Sequence, residues 1–297
     1  MSFLWLLSDL RTPFFNGLMQ LITYIGQELV IIAVICALYW CVDKRFAYLL
    51  GFTYFTAGLG IQTLKITFRI PRPWILDPDF QAVKSALPGA TGYSFPSGHT
   101  QGATALFFPL ALKVKQKALK ALFIFMFLLI GFSRMYLGCH TPKDVLVSML
   151  FTIIISLIIW HFQDFFLNDT NHLKQISLTL SALSLAVAIY AFILNTHGII
   201  EAKYAIDCCK AAGAGLGFAI GWYIERTRLN FDTRTLKIRS QILKLILGLF
   251  IALIIKEGFS LIFGSSVLAK MGEYFILVLW VLVIYPYVFM KIKRRIS

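Results

Sequence analysis

Three short groups of polar residues sit at the edges of hydrophobic runs: Lys65 with Arg72-Pro73, then Pro96-Ser97-Gly98-His99, then Ser133-Arg134 followed by His140 and Asp144. Together they hold three cations, a glycine at a helix start, two imidazoles and one carboxylate. Such a set suits gripping a phosphoryl group and passing it to a histidine nitrogen, while the second imidazole protonates the leaving oxygen. Charge buried beside a membrane is costly, so three cations there call for a functional reason.

Each group, taken alone, has two readings. Lys65 closes an apolar run, and the prolines at 71 and 73 stop the helix and hold Arg72 near it; a pair of snorkelling interfacial cations has the same sequence. Ser97 is a natural N-cap, the free amides of a helix start bind oxyanions, Gly98 admits a close approach, and His99 projects from the first turn, where it can donate a proton. The alternative is a capped helix with an incidental histidine. Thr141-Pro142-Lys143-Asp144 opens another helix, with Thr141 as cap and proline at the first position. Asp144 there either accepts the Nδ1–H of His140, leaving Nε2 free to attack, or closes a capping box on Thr141.

The elements that must position these groups follow from composition. Hydrophobic residues make up 59% of the chain, charged residues 14%, and the mean hydropathy is +0.77, which is too apolar for a soluble domain of 297 residues. The chain reads as an all-α polytopic membrane protein. Nine runs approach the length of about 20 apolar residues that crosses the hydrocarbon as a helix: 26–42, 46–65, 98–113, 119–134, 144–161, 176–194, 205–224, 240–257 and 272–290. The first twenty-two residues differ. Phe3, Leu7, Leu10, Phe14, Leu18 and Leu21 recur at helical spacing among Ser8, Asp9, Arg11, Asn16 and Gln20, with Pro13 interrupting. This predicts an interfacial helix over 1–22, and neither a basic start nor a small-residue cleavage site marks it as a signal peptide.

The net charge of +14 does not read as a nucleic-acid footprint, because Lys and Arg alternate between the two sides of the spans. One side collects Lys44, Arg45, Lys113, Lys115, Lys117, Lys120, Lys174, Arg226, Arg228, Arg234, Lys237, Arg239 and the tail Lys291, Lys293, Arg294 and Arg295. The positive-inside rule makes that side cytoplasmic and puts all three polar groups on the extracytoplasmic face. The five cysteines show neither a metal spacing nor a disulfide framework. Gly213, Gly215, Gly217 and Gly221 mark close helix contact, within the chain or across a homodimer.

The three groups in this order, on one membrane face, form a demanding pattern. On it the chain resembles the type 2 phosphatidic acid phosphatase (PAP2) superfamily, which also includes glucose-6-phosphatase, sphingosine-phosphate phosphatases, bacterial undecaprenyl pyrophosphate phosphatases and the vanadium haloperoxidases. Every position of the three-part signature between 65 and 144 is matched. The resemblance implies a six-helix catalytic core over about 26–194, with 195–297 as additional transmembrane helices and a basic tail. It implies that Lys65, Arg72 and Arg134 clamp the phosphoryl oxygens, with Ser97 and the Gly98 amide completing the cradle. His140 would be the nucleophile, Asp144 its orienting partner, and His99 the acid and then the base. Neither a metal nor another cofactor is implied.

The expected substrate is a lipid phosphate or isoprenyl pyrophosphate, whose phosphate lies at the membrane surface while its tail stays in lipid. Trp74, Phe80 and Tyr93, in the loop before the second group, are candidates to flank such a tail, though aromatic residues at a membrane interface need no ligand to explain them, and Asp77 and Asp79 read as turn residues. The alternatives are a soluble sugar phosphate, suggested by the nine-span layout, a lipid phosphotransferase, and a non-catalytic lipid transporter.

Overall fold

The computed structural model describes residues 1–233 and 238–296, with the side chains of 292–296 outside the description. Arg234 and Lys237, together with the side chains of Lys293, Arg294 and Arg295, therefore lie outside the described residues. Among the described residues the chain is all-helical, without strands. The helices are α1 (Ser2–Asp9), α2 (Pro13–Ile25), α3 (Glu28–Ala37), α4 (Lys44–Phe68), α5 (Pro73–Leu76), α6 (Gly98–Lys113), α7 (Lys117–Tyr136), α8 (Pro142–His161), α9 (Gln163–Leu167), α10 (Leu173–Thr196), α11 (Ala202–Ile224), α12 (Ile238–Phe263), α13 (Val267–Leu279) and α14 (Tyr285–Ile296).

Each of the nine apolar runs falls on helix. Length and composition together admit five of these helices as crossings: α7, α8, α10, α12 and α13 with its continuation to Lys291. The pair Pro13–Ile25 and Glu28–Val42 makes a sixth if it is one bent span. The other runs expected to cross fall short for a physical reason. α6 has only 16 residues, α4 is long but diluted with glycine, threonine and lysine, and α11 is long but diluted with glycine, lysine and an aspartate.

The chain divides into two compact units. The first comprises Met1–Ile32 and Gly60–His161 and contains all three polar groups. Its core forms where α6, α7 and α8 bury Ala103, Phe127, Ile130, Val145 and Met149, with Ile22 and Ile25 of α2 packed against them. Small residues allow the approach: a Cβ built at Gly131 would stand 2.9 Å from Val145. A second cluster, of Ala86, Ala90, Tyr136, Leu137 and Cys139, joins the loop between α5 and α6 to the end of α7, with Met19 and Trp74 against it.

The amino-terminal segment of this unit is two helices, because Thr12 caps α2 by accepting from Phe15 N and Pro13 takes the first helical position. α2 runs three residues beyond the expected limit of 22. Of the expected apolar face only Leu7 is buried, whereas Phe3, Leu10, Phe14, Leu18 and Leu21 are exposed, as a lipid-facing stripe requires.

The second unit comprises Ala33–Leu59 and Phe162–Ser297. Its glycine stripe is taken up by contact within the chain: Cβ atoms at Gly213 and Gly217 would meet the Met271 and Phe275 carbonyls at 2.1 and 2.7 Å, and one at Gly215 would meet Ser184 Oγ at 2.6 Å. The fully buried Glu225 is neutralised by Lys44 at 2.7 Å, accepts from Phe231 N at 2.8 Å, and is bonded by the Tyr48 hydroxyl.

Candidate active site

Helix ends place the cations. Lys65 lies in the last turn of α4, buried, with Nζ donating to Tyr93 O at 2.7 Å. Arg69 then adopts φ +50, and its N–H bonds Lys65 O at 2.9 Å, turning the chain out of the helix. Three residues on, Arg72 precedes α5, whose first position is Pro73. Its guanidinium is buried and bridges several partners. Nε donates to Gly92 O at 2.7 Å, and Nη1 donates to Cys139 O at 3.0 Å and lies 2.9 Å from His140 Nε2.

The second group starts α6 as its spacing predicts. Ser97 Oγ caps the helix, accepting from Thr100 N at 3.4 Å and Thr100 Oγ1 at 2.9 Å. The Ser97 backbone is held from the other side: its N–H donates to Asp144 O at 3.1 Å, and its carbonyl accepts from Ser148 Oγ at 2.6 Å. A Cβ built at Gly98 would meet no atom within 4 Å, so open space adjoins this backbone. His99 is partly exposed, with Cε1 3.9 Å from a Cβ built at Gly89 in the loop above it.

The third group depends on how α7 stops. Gly138 takes φ +78, its N–H donates to Met135 O at 2.9 Å, and Cys139 N donates to Arg134 O at 3.0 Å, which is a Schellman ending. His140 emerges from that ending with 1% of its surface exposed. α8 begins with a reciprocal capping box, in which Thr141 N donates to Asp144 Oδ2 at 2.7 Å and Asp144 N donates to Thr141 Oγ1 at 3.4 Å. Asp144 Oδ2 also accepts from Ser94 Oγ at 2.6 Å and lies 3.7 Å from His140 Nδ1, beyond hydrogen-bonding reach. Nδ1 has no partner. Of the two sequence readings of Asp144, the capping box is the one formed.

Arg134, 1% exposed, is held at one corner. Nη1 donates to Thr23 Oγ1 at 3.1 Å, while Nε and Nη2 are buried without a hydrogen-bond partner among the described residues. An unpaired buried donor of a charged group costs about 1–3 kcal/mol or more. The edge so exposed is the one that binds an oxyanion with two parallel hydrogen bonds. Burial first, and then the charges of Arg72, Arg134 and Lys65, hold the His140 imidazole well below the usual histidine range. The imidazole is therefore neutral, with a lone pair on one nitrogen.

Several contributors carry no local signal in the sequence. Thr23 and Arg11 reach the site from more than a hundred residues away. Arg11 Nε donates to Tyr136 O at 3.0 Å and Nη1 to Gln81 O at 2.6 Å, tying the end of α7 to the loop above it. Ser94 is adjacent to the second group but lacks a motif of its own. Phe80, expected to flank a lipid tail, is instead 1% exposed, packed edge-on to Trp5 and beneath the Arg11 guanidinium. Trp74 lies against Arg72, 6.0 Å from ring centre to Cζ. Asp77 receives Trp5 Nε1 at 2.9 Å and caps Asp79 N, as a turn residue does.

Comparison with known proteins gives the arrangement its family. Residues 46–167 match the PAP2 superfamily, and residues 209–295 match the PAP2 superfamily phosphatase transmembrane extension. The chain is 36% identical over 109 residues to the undecaprenyl-diphosphatase BcrC of Bacillus subtilis, covering 36% of this chain and 53% of that protein. It is 25% identical over 211 residues to sphingosine-1-phosphate phosphatase 1 of Rattus norvegicus, covering 66% of this chain and 48% of the relative. The chain thus spans about half the length of the curated relatives it matches. The crystal structure of Aquifex aeolicus LpxE aligns over 54% of this chain and 93% of its own, at 27% identity and a TM-score of 0.47. With the superfamily domain over the three polar groups and the transmembrane extension over its last helices, this chain is an integral membrane protein belonging to the PAP2 superfamily.

Proposed function

We propose that the chain hydrolyses a phosphate monoester or pyrophosphate of a membrane lipid through a phosphohistidine on His140. The observation that carries this reading is the unpartnered Nε–Nη2 edge of Arg134, buried near a neutral His140 whose Nε2 already receives a hydrogen bond from Arg72. Both named curated relatives are phosphatases of lipid phosphates or diphosphates, which supports the substrate class.

In the mechanism, Arg134, Arg72 and Lys65 neutralise the equatorial oxygens, where charge is spread in the transition state, and the Gly98 amide at the start of α6 adds a donor. Arg72 transfers its Nη1 hydrogen bond from His140 Nε2 to a phosphoryl oxygen, freeing the lone pair. Nε2 attacks phosphorus as the bond to the lipid oxygen breaks, and His99 gives that oxygen its proton. His99 then takes a proton from water, which displaces the phosphoryl group from Nε2 as inorganic phosphate. Asp144 acts through the turn it caps, by holding Thr141 N and Ser94 on either side of His140.

The membrane layout belongs to the same reading: nine crossings with a six-helix core, the amino end and site extracytoplasmic, supported by the alignment of all nine apolar runs with helix and by the one-sided Lys/Arg distribution. An impermeant thiol reagent on intact cells should label a cysteine at position 84 but not at 117, and the reverse pattern would invert the layout. The chemistry is tested by His140→Ala, which should abolish both turnover and acid-labile labelling from a ³²P-phosphate substrate. Phosphate release at the wild-type rate by that variant would remove the mechanism.

A further inference from the structure

We infer that Thr23, on a segment preceding the matched PAP2 domain, is a positioning residue that aims the Arg134 guanidinium. The inference rests on the reading that Arg134 binds phosphoryl oxygens. A guanidinium is a rigid plane with five donors, so fixing one nitrogen fixes the direction of the opposite edge. Thr23 Oγ1 takes Nη1 at 3.1 Å, and this is the one side-chain hydrogen bond Arg134 makes among the described residues. Removing that acceptor leaves all three guanidinium nitrogens unpaired in a buried site, and the group is then free to rotate off the anion.

The rest of the segment is built to keep Thr23 in place. A Cβ at Gly26 would stand 2.6 Å from Ile130 Cγ2 and 3.5 Å from His99 O, so α2 ends against both α7 and the first turn of α6 with no slack. Arg11 binds the carbonyls of Tyr136 and Gln81, Tyr136 Oη donates to Leu10 O at 3.2 Å, and Ser85 Oγ donates to Gln20 Oε1 at 3.1 Å. Leu4 and Leu7 are buried. Residues 1–25 are therefore joined to the helix end that bears Arg134, to the loop above it and to the helix that bears His99.

The full-length chain in detergent is assayed with farnesyl pyrophosphate and dioctanoyl phosphatidate, and vanadate binding is measured by calorimetry. The set is wild type, Thr23→Val, Thr23→Ala, Thr23→Ser, Arg134→Ala and the double variant Thr23→Val/Arg134→Ala. Thr23→Val keeps the side-chain shape and should lower both kcat/KM and vanadate affinity about tenfold, with the loss in kcat, as expected for a hydrogen bond to a charged group. Thr23→Ser should recover to within about threefold of wild type, and adding Thr23→Val to Arg134→Ala should cost nothing further. Wild-type kinetics and vanadate affinity for Thr23→Val beside a damaged Arg134→Ala overturn the inference, as does an additive loss in the double variant. If Thr23→Val does not fold, Thr23→Ala carries the same comparison. Arg134→Ala with wild-type rates and vanadate affinity would instead remove the underlying reading of the site.

Discussion

Arg72 Nη1 lies 2.9 Å from His140 Nε2. A guanidinium has no lone pair to offer, so it must be the donor, and Nε2 must be the acceptor. The proton of the neutral imidazole is then on Nδ1, facing Asp144 at 3.7 Å. The Arg72 contact thus matches the tautomer that a nucleophilic Nε2 requires.

Arg72→Lys should therefore be poorly tolerated although it preserves charge. An ammonium on a flexible stem cannot hold Gly92 O, Cys139 O and Nε2 at once. We expect kcat/KM to fall by roughly 10²-fold, the scale for losing one preorganised donor. Arg69→Ala, four residues after Lys65 in the same loop, should stay within a few-fold of wild type. Comparable mild losses at both positions would reduce the site to general basicity.

The pH dependence of stability follows from the depressed His140. Its folded-state proton affinity lies below the unfolded value of about 6.5. Below that pH the unfolded chain takes up the proton first, so stability is present above about pH 6.5 and falls on acidification. His140→Gln lacks this loss. The Tm advantage of wild type over the variant should thus shrink between pH 7.5 and 5, whereas parallel melting curves would show that His140 titrates normally.

Chelators should leave activity intact, because three buried cations and a helix start supply the positive charge that a divalent ion gives elsewhere. Vanadate, tested separately since EDTA binds it, should inhibit competitively. Activity lost in EDTA and restored by Mg²⁺ would contradict this account.

Most of the helices and the signature residues were legible in the sequence, because both rest on local patterns: apolar runs of span length, prolines at helix stops, caps at helix starts. The crossings are less plainly marked, since α4 mixes apolar residues with glycine, threonine and lysine, and α11 mixes them with glycine, lysine and an aspartate, which lowers the hydropathy of both. Thr23 and Arg11 were invisible for another reason. Their partners are 111 and 125 residues away, and a threonine in an amphipathic helix or an interfacial arginine has no spacing that marks it. Phe80 was misread because aromatic residues in an interfacial loop look alike until one knows which is covered. Asp144 satisfied two patterns at once, and only distance separated them.

Gly138→Ala should act on both stability and turnover. A left-handed alanine costs about 1–2 kcal/mol, and its Cβ would stand 2.7 Å from Arg11 Nη2 and 3.0 Å from Phe80. Denaturation in mixed micelles should show that loss, and kcat/KM should drop with it. Gly138→Asn, better suited to this φ, should unfold later than the alanine variant despite its larger side chain. The opposite ranking would mean crowding, and not backbone conformation, governs the position.

The helix ending at Gly138 also accounts for an interval that a motif merely records. Arg134 supplies the carbonyl that receives Cys139 N, and His140 is the next residue, so the five positions between the two functional side chains are a single closing turn of backbone. That turn has one length. An inserted or deleted residue there cannot be absorbed by a loop, because it would reassign which residue takes the left-handed position and swing the histidine away from the arginine. The stretch from 134 to 140 should accordingly tolerate exchanges of side chain far better than changes of length, and insertion scanning should find it closed where the neighbouring loop at 77–92 is open.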